Sequence, residues 1–354
     1  MEAALMSVQP VSPAKIESEL TKLWESLRGA NKIRASLFNL IFYTQKTHRA
    51  GYVHKIAQKV VEKFPARIIF ITVDKEAKED RCATSISVLA TKTGQTEILC
   101  DYIAIDASGK GVEQIPFLLY PQIIPDLPVY LIWAENPITD NPLALHCDQF
   151  VTRVIYDSEC TDNLPAFAKA VLASKQEIAD LNWARTESWR NLLCAVFNTP
   201  EKLADLNTAK TITLTYNAQA SEFFCHTEIQ AIYLQAWLAA QLQWTPKPRL
   251  HYQGPQGDIA VVLKPVSHTN LPPGLVLTVD IATAEKQFTF IRDLQKTQQI
   301  TVEISTKELC ELPTKYLFSK GESGQSLVRE ICHKGTSSHY LNVLNLVSKY
   351  ESLG

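Results

Sequence analysis

The sequence predicts an α/β N-terminal domain with a mixed sheet, followed by an α+β C-terminal domain with an antiparallel sheet and helices. Three observations carry this expectation. Residues 36–74 read strand, helix, strand, the order of a βαβ unit with a right-handed crossover. Beyond residue 205 the pattern changes to short alternating strands broken by Gly-Pro, Pro-Pro-Gly and polar turns. The 354 residues also exceed the length at which one hydrophobic core keeps growing, so two domains are expected. They are placed at 1–200, α/β with a helical extension, and 201–354, α+β.

In chain order, Ser12 is the expected N-cap of a first helix, with Pro13 at its first helical position and its end near Gly29. SLFNLIFYT (36–44) is a strand rich in aromatic and aliphatic residues. KTHRAGYVHKIAQKVVEKF (46–64) sets Val53, Ile56, Ala57, Val60, Val61 and Phe64 at three-and-four spacing, which predicts a helix with one buried face. PARIIFITVD (65–74) is a buried strand. CATSISVLAT (82–91) and TEILCDYIAI (96–105) pair antiparallel through Gly94. A helix near 110–120 leads to a proline-rich segment and the buried strand PVYLIW (128–133). NPLALHCD (141–148) is a short helix and FVTRVIYDS (150–158) the last strand, so 30–158 reads as one three-layer α/β unit. NLPAFAKAVLASKQEIADL (163–181) follows as helix.

The second half opens with strand AKTITLTYN (209–217) and the helix SEFFCHTEIQAIYLQAWLAAQLQW (221–244), with Ser221 as expected N-cap. Between Ile229 and Leu242 it is apolar on most faces and should be largely buried. RLHYQG, DIAVVLKPV, LVLTVDIA, KQFTFIRD and QQITVEIS form an antiparallel meander, and helices near 323–334 and 338–351 close the chain.

Composition narrows the function. Lysine and arginine number 35 against 37 acids, a net charge of -2, so neither nucleic acid nor an anionic membrane is expected as a partner. MEAALMSVQP carries no secretory pattern, and no apolar run suits a membrane span; the nearest, 115–133, holds four prolines and Asp126. The eight cysteines show no Cys-x-x-Cys spacing, which points to free thiols in a reducing compartment, hence the cytoplasm. A regulatory disulfide between two of them is the alternative. Glycine numbers only 12, where ordinary usage near 7% gives about 25. Phosphate-cradling loops consume glycine, and little is available for them here.

The search for chemistry is mostly negative, and no catalytic, cofactor-binding or metal-binding residue is assigned. Gly109 and Gly111 flank Lys110 at a helix start, but the third glycine of the dinucleotide fingerprint and the Gly-Lys-Ser/Thr of a P-loop are absent. The pairs His146-Cys147, Cys225-His226 and Cys332-His333 are sequence neighbours that point apart, and zinc-ligand spacing is missing. No Gly-x-Ser-x-Gly elbow is present. Pro125 and Pro128 fix the backbone on both sides of Asp126, whose side chain suits a local backbone hydrogen bond. That turn either positions the following strand and Trp133 or offers a rigid contact to a ligand or partner.

DLNWARTESWRNLL (180–193) concentrates tryptophan and arginine, the residue types of binding hot spots. As one helix it would set Arg185 among Leu181, Trp189, Leu192 and Val196, burying a charge with no evident partner. A break resolves this: Thr186 as N-cap, Glu187 in the first turn, and Trp189, Leu192, Leu193 and Val196 on one face. Trp183 and Arg185 then lie in the connection before it. Trp183, Arg185 and Arg190 are candidates either for bracing within the fold or for contact with a partner.

FPARIIFI (64–71), IPFLLYPQIIPDLPVYLIW (115–133), NPLAL (141–145), VTRVIYDS (151–158), DLNWARTESWRNLL (180–193) and YLQAWLAAQLQW (233–244), in this order, resemble the OpcA family of glucose-6-phosphate dehydrogenase assembly proteins. This chain has Glu187 where members often carry proline, and Trp133-Ala134 where paired tryptophans are usual. The resemblance implies a non-enzymatic protein without a cofactor that binds glucose-6-phosphate dehydrogenase as assembly factor or allosteric activator in the oxidative pentose phosphate pathway. The alternative is an enzyme or sugar-phosphate-binding module with a site between the two domains, motivated by Lys110 beside basic residues such as Arg67 and Arg153.

Overall fold

The apolar runs of the first half become the interior strands of a ten-stranded mixed sheet. The computed structural model describes residues 4–27, 32–93, 95–138, 141–147, 149–221, 226–248, 250–318 and 325–350. The chain forms two units that interleave in sequence. The first comprises Met1–Asp157, Ser174–Asp180 and Ser323–Gly335, and the second Ser158–Ala173, Leu181–Glu322 and Thr336–Gly354.

In the first unit the elements are β1 (Ala4–Leu5), β2 (Gln9–Val11), α1 (Ile16–Ser26), β3 (Lys32–Arg34), β4 (Asn39–Gln45), α2 (His48–Val61), β5 (Arg67–Asp74), β6 (Arg81–Thr93), β7 (Thr96–Ser108), α3 (Ile115–Leu119), β8 (Val129–Ala134), α4 (Pro142–Cys147), β9 (Arg153–Tyr156) and β10 (Glu177–Asp180). The sheet runs β1-β6-β7-β5-β4-β8-β9-β10, with β2 on β6 and β3 on β7. Strands β7 through β10 in that order are parallel to their neighbours, while β6 pairs antiparallel with β7. Leu40, Ile41, Phe42 and Tyr43 are all fully buried, as a central parallel strand covered on both faces requires.

The second unit contains α5 (Leu164–Leu172), α6 (Leu181–Arg185), α7 (Glu187–Val196), α8 (Pro200–Leu206), β11 (Thr211–Asn217), α9 (Ile229–Gln241), β12 (Thr245–Lys247), β13 (His251–Gly254), β14 (Gly257–Val266), β15 (Val276–Ala282), β16 (Gln287–Arg292), β17 (Gln299–Ser305) and β18 (Thr314–Leu317). A helix α10 (Gln325–Cys332) returns to the first unit and packs on α2, and α11 (Ser338–Val347) closes the second. The sheet order is β12-β13-β14-β11-β15-β16-β17-β18, antiparallel except where β11 lies parallel to β14. The alternation Phe288, Phe290 on β16 and Ile300, Val302, Ile304 on β17 supplies one buried face. Helix α9, buried from Ile229 to Ala239, packs on β11 and β14, and α11 packs on α9 and α5.

Several expectations change. The helix beginning at 163 stops at Leu172, and Glu177–Asp180 forms β10, parallel to β9. Pairing with β9 buries Ile178 and Ala179 and outweighs the helical propensity of the stretch. FVTRVIYDS is therefore not the last strand of its sheet. Ser12 makes no side-chain cap, and the chain enters α1 through a 3-10 turn at Pro13–Lys15. The long helix α9 starts at Ile229, with Glu228 rather than Ser221 at its N-cap position. The C-terminal sheet is not a simple meander, because β11 inserts between β14 and β15. Gly29 and Gly94 lie outside the described residues.

On α2, the His54 ring lies 5.5 Å from those of Phe70 and Tyr102, with its Nδ1 3.2 Å from the Tyr102 hydroxyl. Burial lowers the His54 pKa from its ordinary 6.5. The folded state then binds fewer protons at this site than the unfolded chain, so the stabilising difference is present above pH 6.5 and is lost as pH falls towards the lower folded value. Urea unfolding followed below pH 6.5 should show this decline, and His54→Gln should flatten its share of the slope.

Candidate functional site

The tryptophan-arginine stretch breaks at Thr186, as its burial conflict demanded, but both sides are helical. Trp183 and Arg185 sit on α6 rather than in an irregular connection, and Thr186 has helical dihedrals. Its hydroxyl caps no amide of α7; it donates back to the Trp183 carbonyl at 2.9 Å. Arg185 donates to Glu159 and to Asn182 Oδ1, both at 2.7 Å, and Asn182 in turn donates to Ser158 Oγ at 3.0 Å. The charge that looked unpartnered has a buried carboxylate.

Trp183 is 4% exposed and lies 5.6 Å from the Tyr340 ring, which meets Tyr233 at 6.0 Å. The Arg190 guanidinium stacks 3.4 Å from the Trp183 ring centroid and donates to the Trp183 carbonyl at 2.6 Å and to the Thr186 hydroxyl. One arginine thus reads both the face of an indole and the end of the helix that carries it. Trp189 is buried against Phe318 at 5.4 Å, with Arg292 5.2 Å from its ring. Within the second unit these residues brace one another.

Asp126 lies elsewhere, on the first unit. It adopts φ 65, a left-handed conformation that a non-glycine residue rarely takes, and it is exposed. The buried Asn39 holds this turn from below: its Nδ2 donates to the Ile124 carbonyl at 3.1 Å and its Oδ1 accepts from the Ile124 amide at 2.8 Å. The expected backbone hydrogen bond to the Asp126 carboxylate is not made among the described residues. Sequence reasoning missed two residues on the same stretch. Phe117 and Tyr120 are 73% and 65% exposed, and they meet the rings of His146 and Phe150 at 6.1 and 6.0 Å. Nothing in an apolar segment marks which of its aromatics face outward.

Two of the basic residues offered as an anion site, Arg67 and Arg153, have their guanidinium groups engaged within the first unit. Arg67 donates to the fully buried Asp101 through Nε at 3.0 Å and Nη2 at 2.7 Å, and also to Glu17 and the Gln122 carbonyl. Those anionic partners raise its pKa against the opposing effect of burial. Arg153 is held by Glu177 and by the carbonyls of Glu330 and Gly335. The Lys110 amide donates to Asp80 at 2.9 Å. Gly109 has φ 52 and Gly111 packs where a Cβ would lie 2.0 Å from the Arg81 carbonyl oxygen, so a left-handed backbone explains the first glycine and close backbone approach the second.

The sheet reverses its direction of growth between β4 and β8, the position at which open α/β sheets accept ligands. Side chains along that edge pair with one another. Gln45 and Lys75 meet Glu135, Arg49 pairs with Asp157, and Asn141 donates to Tyr43 at 2.6 Å, with Tyr43 stacked 4.7 Å from Trp133. Among the described residues there is no His, Cys, Asp or Glu group suited to a metal and no helix long and apolar enough to cross a membrane. Cys82, Cys100, Cys194, Cys310 and Cys332 are free thiols, and burial pushes that of Cys100 up to about 12.

Two family models match the chain: one described as glucose-6-phosphate dehydrogenase subunit N-terminal domain over residues 57–172, the other as the C-terminal domain of that subunit over 176–336. A protein of Nostoc punctiforme described as OxPP cycle protein OpcA is 28% identical over 211 residues, covering 58% of this chain and 43% of that protein. Its namesake in Synechocystis sp. is 29% identical over 198 residues, covering 54% and 40%. The matched stretch is thus less than half the length of either relative. Among solved structures, a 3-ketoreductase from Actinomadura kijaniata superposes with TM-score 0.48 at 8% identity, covering 88% of this chain and 95% of that one. A likeness at that level assigns neither cofactor nor reaction.

The arginine on Trp183 has a measurable weight. Arg190→Ala removes a close cation-π contact and hydrogen bonds, and should cost about 2–3 kcal/mol in urea unfolding. Arg190→Lys keeps the charge but not the planar fork, and should recover less than about half of it.

Proposed function

The chain belongs to the OpcA family of glucose-6-phosphate dehydrogenase assembly proteins, and we propose on that footing that it binds glucose-6-phosphate dehydrogenase without catalysing a reaction itself. It acts as an assembly factor or allosteric activator of that enzyme in the oxidative pentose phosphate pathway. The observation that carries this reading is the pair of family matches, which follow one another over residues 57–172 and 176–336. Two features support the non-enzymatic part. The Gly-x-Gly at 109–111 serves backbone conformation and packing, and the side chains along the switch-point edge pair with one another.

The mechanism is differential affinity. A binding protein shifts an equilibrium between enzyme conformations or oligomers only by the difference in its affinity for them. A coupling of about 1–3 kcal/mol corresponds to roughly 5–150-fold. We assign the partner surface to the proline-rich stretch of the first unit. Phe117 and Tyr120 supply exposed aromatic area held by neighbouring rings, and Asp126 projects from a turn that Asn39 keeps rigid. Preorganised aromatics of this kind lose little entropy on docking. Trp183, Arg185 and Arg190 contribute by bracing their helices rather than by touching the partner.

Mixing the purified chain with its cognate dehydrogenase should raise turnover, substrate affinity or oligomer size, with a change in kcat/KM of roughly 5–150-fold. An enzyme unchanged in all three at concentrations well above micromolar defeats the reading. The double substitution Phe117→Ala with Tyr120→Ala should weaken the complex by about tenfold or more, since hot-spot truncations cost upward of 1–2 kcal/mol. Its unfolding midpoint should stay near that of the parent, because both side chains are exposed. Full activation by this variant would move the contact surface elsewhere.

A further inference from the structure

A second feature of the first unit is independent of the dehydrogenase. At the carboxyl ends of β5 and β7, Thr72 pairs in register with Asp106 and Asp74 with Ser108. Side chains two apart on a strand share a face, so these four form a small polar platform. The segment between β5 and β6 brings Lys78 beside it, Arg81 opens β6 in register with Ser108, and Lys46 comes in from the end of β4. Together with Ala77, Glu79 and Ala107 they line an open surface pocket of about 440 Å3, within the range of small-molecule sites.

The segment is held in place by the chain itself. Asp74 accepts the amides of Glu76 and Ala77 at 3.2 and 3.0 Å, Ser108 donates to the Glu79 carbonyl at 2.7 Å, and Asp80 takes the Lys110 amide. The charges around the pocket are only partly used. Lys46 stands 3.4 Å from Asp74, whereas the side chains of Lys78, Glu79, Arg81 and Asp106 have no ion pair or hydrogen bond among the described residues.

We propose that this pocket binds a sugar phosphate. The two unpaired cations suit a phosphate dianion, and the guanidinium of Arg81 matches phosphate oxygens in a two-pronged geometry. Asp106 and Thr72 beneath suit hydroxyl groups, which donate to a carboxylate and exchange hydrogen bonds with a threonine. A neutral sugar leaves the cations unmet. A polyphosphate places excess negative charge against Asp74, Glu79 and Asp106. The site lies outside the carboxyl ends of parallel strands, where open α/β sheets collect ligands, but beside β5 and β7 rather than at the β4/β8 edge.

The test uses the full chain without any dehydrogenase, so its outcome is separate from that of the activator reading. Melting temperature is followed against glucose 6-phosphate, glucose and inorganic phosphate. Glucose 6-phosphate should stabilise saturably, with phosphate about tenfold or more weaker and glucose without effect. Arg81→Ala and Lys78→Ala should each weaken glucose 6-phosphate by about tenfold while leaving the ligand-free melting temperature nearly unchanged, since both side chains are exposed. Asp106→Asn should weaken glucose 6-phosphate and not phosphate. No stabilisation at about 10 mM, equal affinity for phosphate, or binding untouched by both cation variants would overturn the proposal.

Discussion

Asp101 is the point on which the first unit turns. It is fully buried on β7, and an isolated carboxylate there would cost several kcal/mol. Four donors remove that cost: Trp24 Nε1 at 2.8 Å, Arg34 Nη2 at 2.7 Å, and two nitrogens of Arg67. These donors come from α1, β3 and β5, so one carboxylate fixes the positions of three elements against its own strand. Arg67 also reaches Glu17 and the Gln122 carbonyl and thereby ties down the entry to the proline-rich stretch. A hydrophobic substitute of equal volume fills the space but cannot specify that arrangement; the gain from such pairs is mainly in registration.

The second unit uses another device for the same end. Around α6 and α7 the arginines are matched to indoles and carbonyls as well as to acids. Arg190 stacks on Trp183, Arg292 lies over Trp189 and Phe318, and Arg185 takes a buried glutamate. Arg292 donates to the Val276 carbonyl at 2.9 Å and to the Thr297 carbonyl, and burial brings its pKa down to about 10. Planar guanidinium groups suit such sites because they hydrogen-bond in plane and stack out of plane.

What the sequence discloses depends on how local the determining force is. Runs such as RIIFITVD and VYLIWA announce buried strands because both faces are covered and nearly every residue is apolar. The break at Thr186 was legible from the predicament of Arg185 alone. Strand β10 was not, since Glu177–Asp180 has only two apolar residues and becomes a strand by pairing with β9. The insertion of β11 between β14 and β15 was hidden for the same reason. Of the candidate site, the stiff turn at Asp126 was readable from its prolines, while the outward direction of Phe117 and Tyr120 was not. The pocket beneath Arg81 depends on register across β5, β6 and β7, which no spacing along the chain encodes.

The interleaving of the two units has a consequence for biosynthesis. Arg153 on β9 is nearly fully buried, and two of its acceptors are the carbonyls of Glu330 and Gly335. Those carbonyls emerge from the ribosome some 180 residues after the arginine that needs them. Until then the guanidinium waits for those two acceptors. The first unit is therefore completed only after residues 330 and 335 have been made, later in synthesis than most of the second unit.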